Sequence, residues 1–362
     1  METTGLPDGL IRNPSPPSVE QRKIAYKELF LLTTQILCIL PFIIHDIIMT
    51  IISKIIPPPR KSLTGQVALV TGGGRGLGRG LALGLAKEGC KIAVVDINIS
   101  NARGTANDII DEGGMAKAYE CNVADPAAIR VLREAVTSDL GPVDILVNNA
   151  GILYGGDLLE KCDEADIKAV IDVNLLSHFW MLKEFLPSMK ERNSGHIVAI
   201  ASMASFVGDS AGSAYIASKF GVRAPPAGPC SSVHTTIFTH TTDPLIKYTG
   251  LLKQQHSIGL MKVVHSEVKF KHNINTTTVY PYFINTSADY VNEWKLRVPA
   301  IPIEDVVGAT IAGVQRNQVS IFVPSSFEYS VKLLDLLPVR SLERMKKVVD
   351  VQIKPHKKEK KS

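Results

Sequence analysis

Cysteine is scarce and badly spaced for any structural task. Five cysteines, Cys38, Cys90, Cys121, Cys162 and Cys230, are scattered over 362 residues, an odd number with no pair at metal-ligand spacing. That argues against a disulfide frame or a zinc module and reads as reduced thiols facing a cytosolic compartment. A strong charge of one sign is also missing, since 40 Lys and Arg against 35 Asp and Glu leave only +5, part of it in the tail His356–Ser362. With no basic face interleaved with aromatic residues, nucleic-acid binding is not expected. A secretory leader fits poorly, because the first apolar run begins late, is too long and lacks a small-residue cleavage site. What the chain does have is 45% hydrophobic residues, enough for one large α/β domain with extensions.

That first apolar run, Leu29 to Ile56, exceeds the roughly 20 residues a bilayer span needs, although Pro41 and His45-Asp46 interrupt it. Arg22, Lys23 and Lys27 precede it, and Lys54, Arg60 and Lys61 lie at its far end, so the positive-inside bias selects no orientation. A hairpin or interfacial helix turning near Pro41 leaves both ends in the cytosol. Pro57-Pro58-Pro59 uncouples the run from the large domain beyond it. The expected layout is a polar tail at 1–28, a membrane anchor at 29–56, a linker at 57–62, a domain at 63–330 and an amphipathic, basic tail at 331–362.

From Leu63 onward strand-like and helix-like segments alternate. Val67–Val70, Lys91–Asp96, Asp144–Val147, His196–Ile200 and Asn275–Tyr280 read as buried strands. Helical spacing runs from Gly78 to Glu88 and from near Val170 to Lys190. This alternation predicts an α/β fold with a doubly wound parallel sheet covered on both faces. Beyond Pro324, Val331, Leu334, Leu337, Leu342, Met345 and Val349 alternate with basic residues. They predict a membrane-surface helix or a helix that caps the domain.

Between the first strand and the first helix lies Thr71-Gly72-Gly73-Gly74-Arg75-Gly76-Leu77-Gly78. A glycine-rich turn in that setting lets backbone N–H groups approach a pyrophosphate, whose charge the helix N-terminus favours. Asp96 ends the second strand about 20 residues later, where a carboxylate accepts hydrogen bonds from ribose hydroxyls and repels a 2′-phosphate. NAD is therefore favoured over NADP, with Arg75 inside the turn as the argument the other way. Further on, Tyr215 and Lys219 share one helix face. A tyrosine with a pKa near 10 is a weak base at neutral pH, and a nearby ammonium together with a positive nicotinamide ring lowers that value. Ser202 is suited to hold a substrate oxygen, and Asn174 to anchor a water that links Lys219 to solvent. Together these residues point to a nicotinamide-dependent dehydrogenase.

The set resembles the short-chain dehydrogenase/reductase family from about Leu63 to Pro324, through the turn Thr71–Gly78, Asp96, Asn148-Asn149-Ala150-Gly151, Asn174, Ser202, Tyr215 and Lys219. The resemblance implies a Rossmann fold, a homodimer, and Asn148 to Gly151 supporting the sheet and lining the cofactor site. It also implies that Pro281-Tyr282-Phe283-Ile284-Asn285-Thr286 replaces a Pro-Gly turn, with Ile284 and Thr286 meeting the nicotinamide carboxamide. Tyr282 departs from the usual Gly. Asn122, followed by Val123, stands where an Asp often contacts adenine. The apolar N-terminus, Asp96-Ile97-Asn98 and His265-Ser266-Glu267-Val268 look like the membrane-bound branch of epidermal-type retinol dehydrogenases and microsomal hydroxysteroid dehydrogenases. That implies a lipophilic alcohol, aldehyde or ketone as substrate. It also implies an endoplasmic-reticulum membrane location with the catalytic domain in the cytosol, or a lipid-droplet surface. Lys358 and Lys360 resemble a dilysine retrieval signal, or simply a basic tail.

One segment breaks the pattern. After Arg223, residues 224–258 are rich in Pro, Thr, His and Ser and lack helical periodicity, whereas the resembled helix continues with Gly259-Leu260-Met261. Joining Arg223 to Gly259 restores one amphipathic helix. The segment therefore reads as a retained intron or gene-model error, with a genuine inserted loop as the alternative. Its Cys230, His234 and His240 have no metal-ligand spacing. Two rival functions stay open: a nucleotide-binding membrane scaffold silenced by the insertion, and a soluble carbohydrate or acyl-carrier reductase.

Overall fold

The computed structural model describes residues 56–153, 159–206, 212–224, 259–269, 271–285, 294–295, 299–334 and 352–353, with six single positions between 27 and 52. Two units are distinguished, residues 1–56 with 228–239, and residues 57–227 with 240–362. In the first, Lys27, Thr34, Pro41, His45, Ile48 and Ile52 are helical and exposed. Pro41 and His45, which in sequence read as interruptions, thus lie in helical conformation. Most of the run Leu29 to Ile56 lies outside the described residues. Among those described, no helix is long and apolar enough to cross a membrane. The dilysine tail and residues 225–258 are also outside them.

The second unit is built on seven parallel strands. In chain order they are β1 (Val67–Thr71), β2 (Lys91–Asp96), β3 (Met115–Glu120), β4 (Ile145–Asn148), β5 (Gly195–Ile200), β6 (Ile274–Pro281) and β7 (Ser320–Val323). They lie side by side as β3-β2-β1-β4-β5-β6-β7, and every neighbouring pair is parallel. Because strand side chains alternate, each central strand feeds two cores. Val67, Leu69, Ala93, Val95, Leu146, Ile197 and Ala199 pack on one face. Ala68, Val70, Ile92, Val94, Ile145, Val147, Val198 and Ile200 pack on the other.

Helices cover both faces. They are α1 (Gly76–Lys87), α2 (Ile99–Asp111), α3 (Pro126–Leu140), α4 (Glu164–Ile171), α5 (Ser177–Glu191), α6 (Ser213–Val222), α7 (Leu260–Lys269), α8 (Ile303–Gln315) and α9 (Phe327–Leu334). The helix expected from Val170 to Lys190 is α4 and α5 joined by a π-helical turn, Asp172–Leu176, which holds Asn174. The edge strands β3 and β7 had no clear signature in sequence. Met115-Ala-Lys-Ala-Tyr-Glu120 is mostly exposed or half-buried, so burial never selected the Val and Ile pattern of the central strands.

The break after Arg223 closes on itself. Gly259 lies so near Arg223 that a Cβ built on it would stand 2.3 Å from the Arg223 carbonyl oxygen and 2.7 Å from its nitrogen. Only glycine allows that approach. Counted as though 224–258 were absent, buried Val222, Met261, Val264 and Val268 recur at spacings of four, three and four, a single helical stripe facing one core.

Candidate functional site

The strand order reverses between β1 and β4, and in doubly wound folds ligands are received at the carboxyl ends of the strands at such a point. The Thr71 hydroxyl organises it. That oxygen donates to Val147 O (3.2 Å) and accepts the backbone N–H of Asn149 and of Ala150, both at 3.0 Å. The Asn149 amide returns a hydrogen bond to Thr71 O at 2.8 Å. Gly72 has φ of +62°, which favours glycine. A Cβ on Gly78 would lie 2.0 Å from Gly72 O and 2.6 Å from the Asn149 amide, so the helix can begin here only without a side chain.

The pieces present fit a dinucleotide. Arg75, the residue before α1, is extended and its side chain makes no capping hydrogen bond, which leaves the N–H groups of the first turn, Gly76 and Leu77 among them, for an anion. The Asp96 oxygens accept the N–H of Gly74 and of Asn98, each at 2.9 Å. A carboxylate has about four lone-pair sites, so capacity for ribose hydroxyls remains. Asn122 ties its own turn by accepting Ala124 N–H at 3.0 Å, beside buried Val123. Pro281 ends β6, and Ile284 bridges to Ile301. Thr286 lies outside the described residues.

Helix α6 brings Tyr215 and Lys219 together, with the Lys219 Nζ 5.8 Å from the centre of the Tyr215 ring. Lys219 is buried and donates to Ile200 O at 2.9 Å. Burial lowers its pKa to about 8. Burial pushes the Tyr215 phenol above its ordinary value, and a hydrogen bond with Ser202 pulls it back. Ser202 itself caps a short 3-10 turn, Met203–Ser205. The fully buried Asn174 accepts Ile152 N–H at 2.8 Å and donates to Ile152 O at 2.9 Å. A Cβ on Gly151 would lie 3.5 Å from the Asn174 Oδ1 and 3.7 Å from the Lys219 Nζ. The four residues singled out in sequence therefore converge.

Two partners escaped the sequence reading. Ser218 receives the Asn174 amide at 3.3 Å and donates to Tyr215 O at 2.6 Å. Ser205 donates to Lys219 O at 2.8 Å. Ser218 was within reach, since it lies three residues after Tyr215 on a helix; Ser205 carried no spacing signal.

The pattern of the short chain dehydrogenase family matches residues 66–225. Human 17-beta-hydroxysteroid dehydrogenase 13 is 31% identical over 319 residues, which is 88% of this chain and 94% of that protein. The chain belongs to the short-chain dehydrogenase/reductase family. Human estradiol 17-beta-dehydrogenase 11 is 32% identical over the same shares, and bovine short-chain dehydrogenase/reductase family 16C member 6 is 30% identical over 83% of this chain and 85% of its own. A metagenomic short-chain oxidoreductase, solved in complex with NADP, superposes with a TM-score of 0.54 at 27% identity, covering 72% of this chain and 96% of its own. The protein is thus an NAD(P)-dependent oxidoreductase of this family, of the branch that holds the hydroxysteroid dehydrogenases.

Proposed function

We propose that this protein is a membrane-anchored dehydrogenase that exchanges hydride between NAD(H) and a lipophilic alcohol, aldehyde or ketone of the retinoid, steroid or long-chain type. The observation that carries this is the Ser202–Tyr215 hydrogen bond beside the buried Lys219. Ser202 holds the substrate oxygen. Tyr215 takes the hydroxyl proton in oxidation and returns it in reduction. Lys219 steadies the phenolate by its charge and reaches the cofactor ribose, and Asn174 supports the path by which the proton reaches solvent. The nicotinamide, when bound, supplies the hydride acceptor or donor. Thr71, Gly72, Arg75, Gly76, Leu77, Gly78, Asn149, Ala150 and Gly151 would hold the cofactor on its phosphate and nicotinamide side. Asn122 and Val123 would line its adenine side, Pro281 would line the cofactor site, and Ile284 and Thr286 would meet the carboxamide.

Asp96 supports NAD over NADP, because its carboxylate would face a 2′-phosphate. The apolar run Leu29 to Ile56 supports membrane anchoring with the domain in the cytosol, at the endoplasmic reticulum or a lipid droplet, where a lipophilic substrate is concentrated. The hydroxysteroid dehydrogenase names of the relatives favour the same substrate class.

The test is full-length protein in microsomes with a panel of retinoids, steroids and fatty alcohols, with NAD and NADP in parallel. NADH formation with at least one of them is expected. NAD binding without turnover would favour a silent scaffold, and a strong NADP preference would overturn the role of Asp96. A chain starting at Leu63 that is soluble and fully active would favour a soluble reductase.

A further inference from the structure

α6 ends at Val222, three residues past Lys219, where the segment 224–258 departs. A helix this short gains little from its own hydrogen bonds, so other contacts must fix the catalytic face relative to the turn that carries Ser202. Phe206 closes that turn, donating its N–H to Met203 O at 3.1 Å. The Arg223 guanidinium lies over the Phe206 ring, 4.0 Å from its centre. Phe206 meets Tyr280 edge-on at 4.9 Å. The Tyr280 hydroxyl accepts Ala224 N–H at 2.8 Å and donates to Ala224 O at 3.1 Å. The end of α6 is thus fastened to β6, and the Ser202 turn is fastened to the end of α6.

Arg223 is only 5% exposed. An arginine that served only to fill this space would be a poor choice, because burying its charge costs far more than burying a thioether or aliphatic chain of like length. The ring face below it is a partner that an apolar chain would not satisfy.

We propose that Arg223 is a positioning residue for the Ser202/Tyr215 pair, its guanidinium over Phe206 holding the Ser202 turn against α6 where the helix stops. It touches neither substrate nor cofactor, and its part in turnover rests on the dehydrogenase reading above. The two ends of the segment 224–258 meet at Arg223 and Gly259.

The experiment compares full-length wild type, Arg223→Met, Arg223→Lys and Phe206→Leu. In Arg223→Met, kcat should fall about tenfold to a hundredfold, as misplacement of a reacting group does, while KM for NAD stays within about twofold. The acid limb of alcohol oxidation should move up by about one pH unit, because a displaced Ser202 no longer stabilises the phenolate. Arg223→Lys, which keeps a cation over the ring, should recover most of kcat. Phe206→Leu should reproduce the shift, and the double variant should be no worse than either single one. A spectrophotometric titration of the phenol, assigned by subtracting Tyr215→Phe, reads the same displacement without turnover. A failure of the dehydrogenase reading would show as no NADH formed and leave this shift intact. Unchanged kcat, pH limb and phenol titration, with only a lower melting temperature, would make Arg223 a packing residue and overturn the proposal. If Arg223→Met does not fold, Phe206→Leu and Arg223→Lys decide.

Discussion

Lys219 shows how one residue's environment sets its chemistry. Its ammonium is buried and donates to Ile200 O at 2.9 Å, and its pKa drops to about 8 from 10.5. For a lysine, a folded-state value below the unfolded one means that the unfolded chain binds more protons between the two. The charged form therefore weakens the fold at pH below about 8, and that penalty disappears as pH rises to 10.5. Denaturant midpoints should show wild type gaining stability relative to Lys219→Met across that window; parallel curves would mean that the ammonium is solvated. In sequence, Tyr215, Lys219, Ser202 and Asn174 were legible because helical spacing and chain order link them. Ser205 and Arg223 act through contacts with residues 14 to 17 positions away, for which no local pattern exists.

At the scale of elements, α6 and α7 behave as one helix cut in two. Val222, Met261, Val264 and Val268 face a common core, and Gly259 abuts the Arg223 backbone. A chain lacking residues 224–258, with Arg223 joined to Gly259, should fold with a melting temperature at least equal to that of the full chain. The closure entropy of a long loop would no longer oppose folding, and NAD binding should be retained. A deletion variant that aggregates or loses NAD binding would show that the segment is a working part of the domain. Transcripts from the source spanning this junction bear on the same question, since abundant message containing the segment would sink the retained-intron reading. The sequence located the break by its prolines and lost periodicity. That its two ends touch required the fold, because proximity across 35 residues leaves no mark in the chain.

For the whole molecule, acid sensitivity arises from buried imidazoles. His178 is held near 3, by burial and then by the Lys219 charge. His196 is held well below its usual value by burial and then Lys61, and His265 is lowered by burial and then Lys269. His196 also joins Lys61 (2.9 Å) to Thr277 (2.8 Å) in a hydrogen-bonded chain ending at Gln318 O. Held below their ordinary value, these rings take up protons less readily in the folded chain than in the unfolded one as pH falls below about 6.5. Stability present above that pH should therefore be lost progressively toward pH 4. Replacing His178 by Phe should flatten the loss measured by urea unfolding; an unchanged slope would mean that the ring titrates in the folded state.

The sequence alone determined the layer architecture and the glycine turn and pointed to Asp96, Ser202, Tyr215 and Lys219 as candidate site residues, because each rests on short-range rules: alternation along a strand, spacing along a helix, or a turn that only glycine permits. The edge strands stayed hidden, since half-exposed residues are not constrained to be apolar. Only the tertiary structure decided that Asp96 also ties the glycine turn, that Lys219 is buried, and that the broken helix closes upon Arg223. Burial and contact between distant residues depend on how the whole sheet is wound, and no local run of residues encodes them.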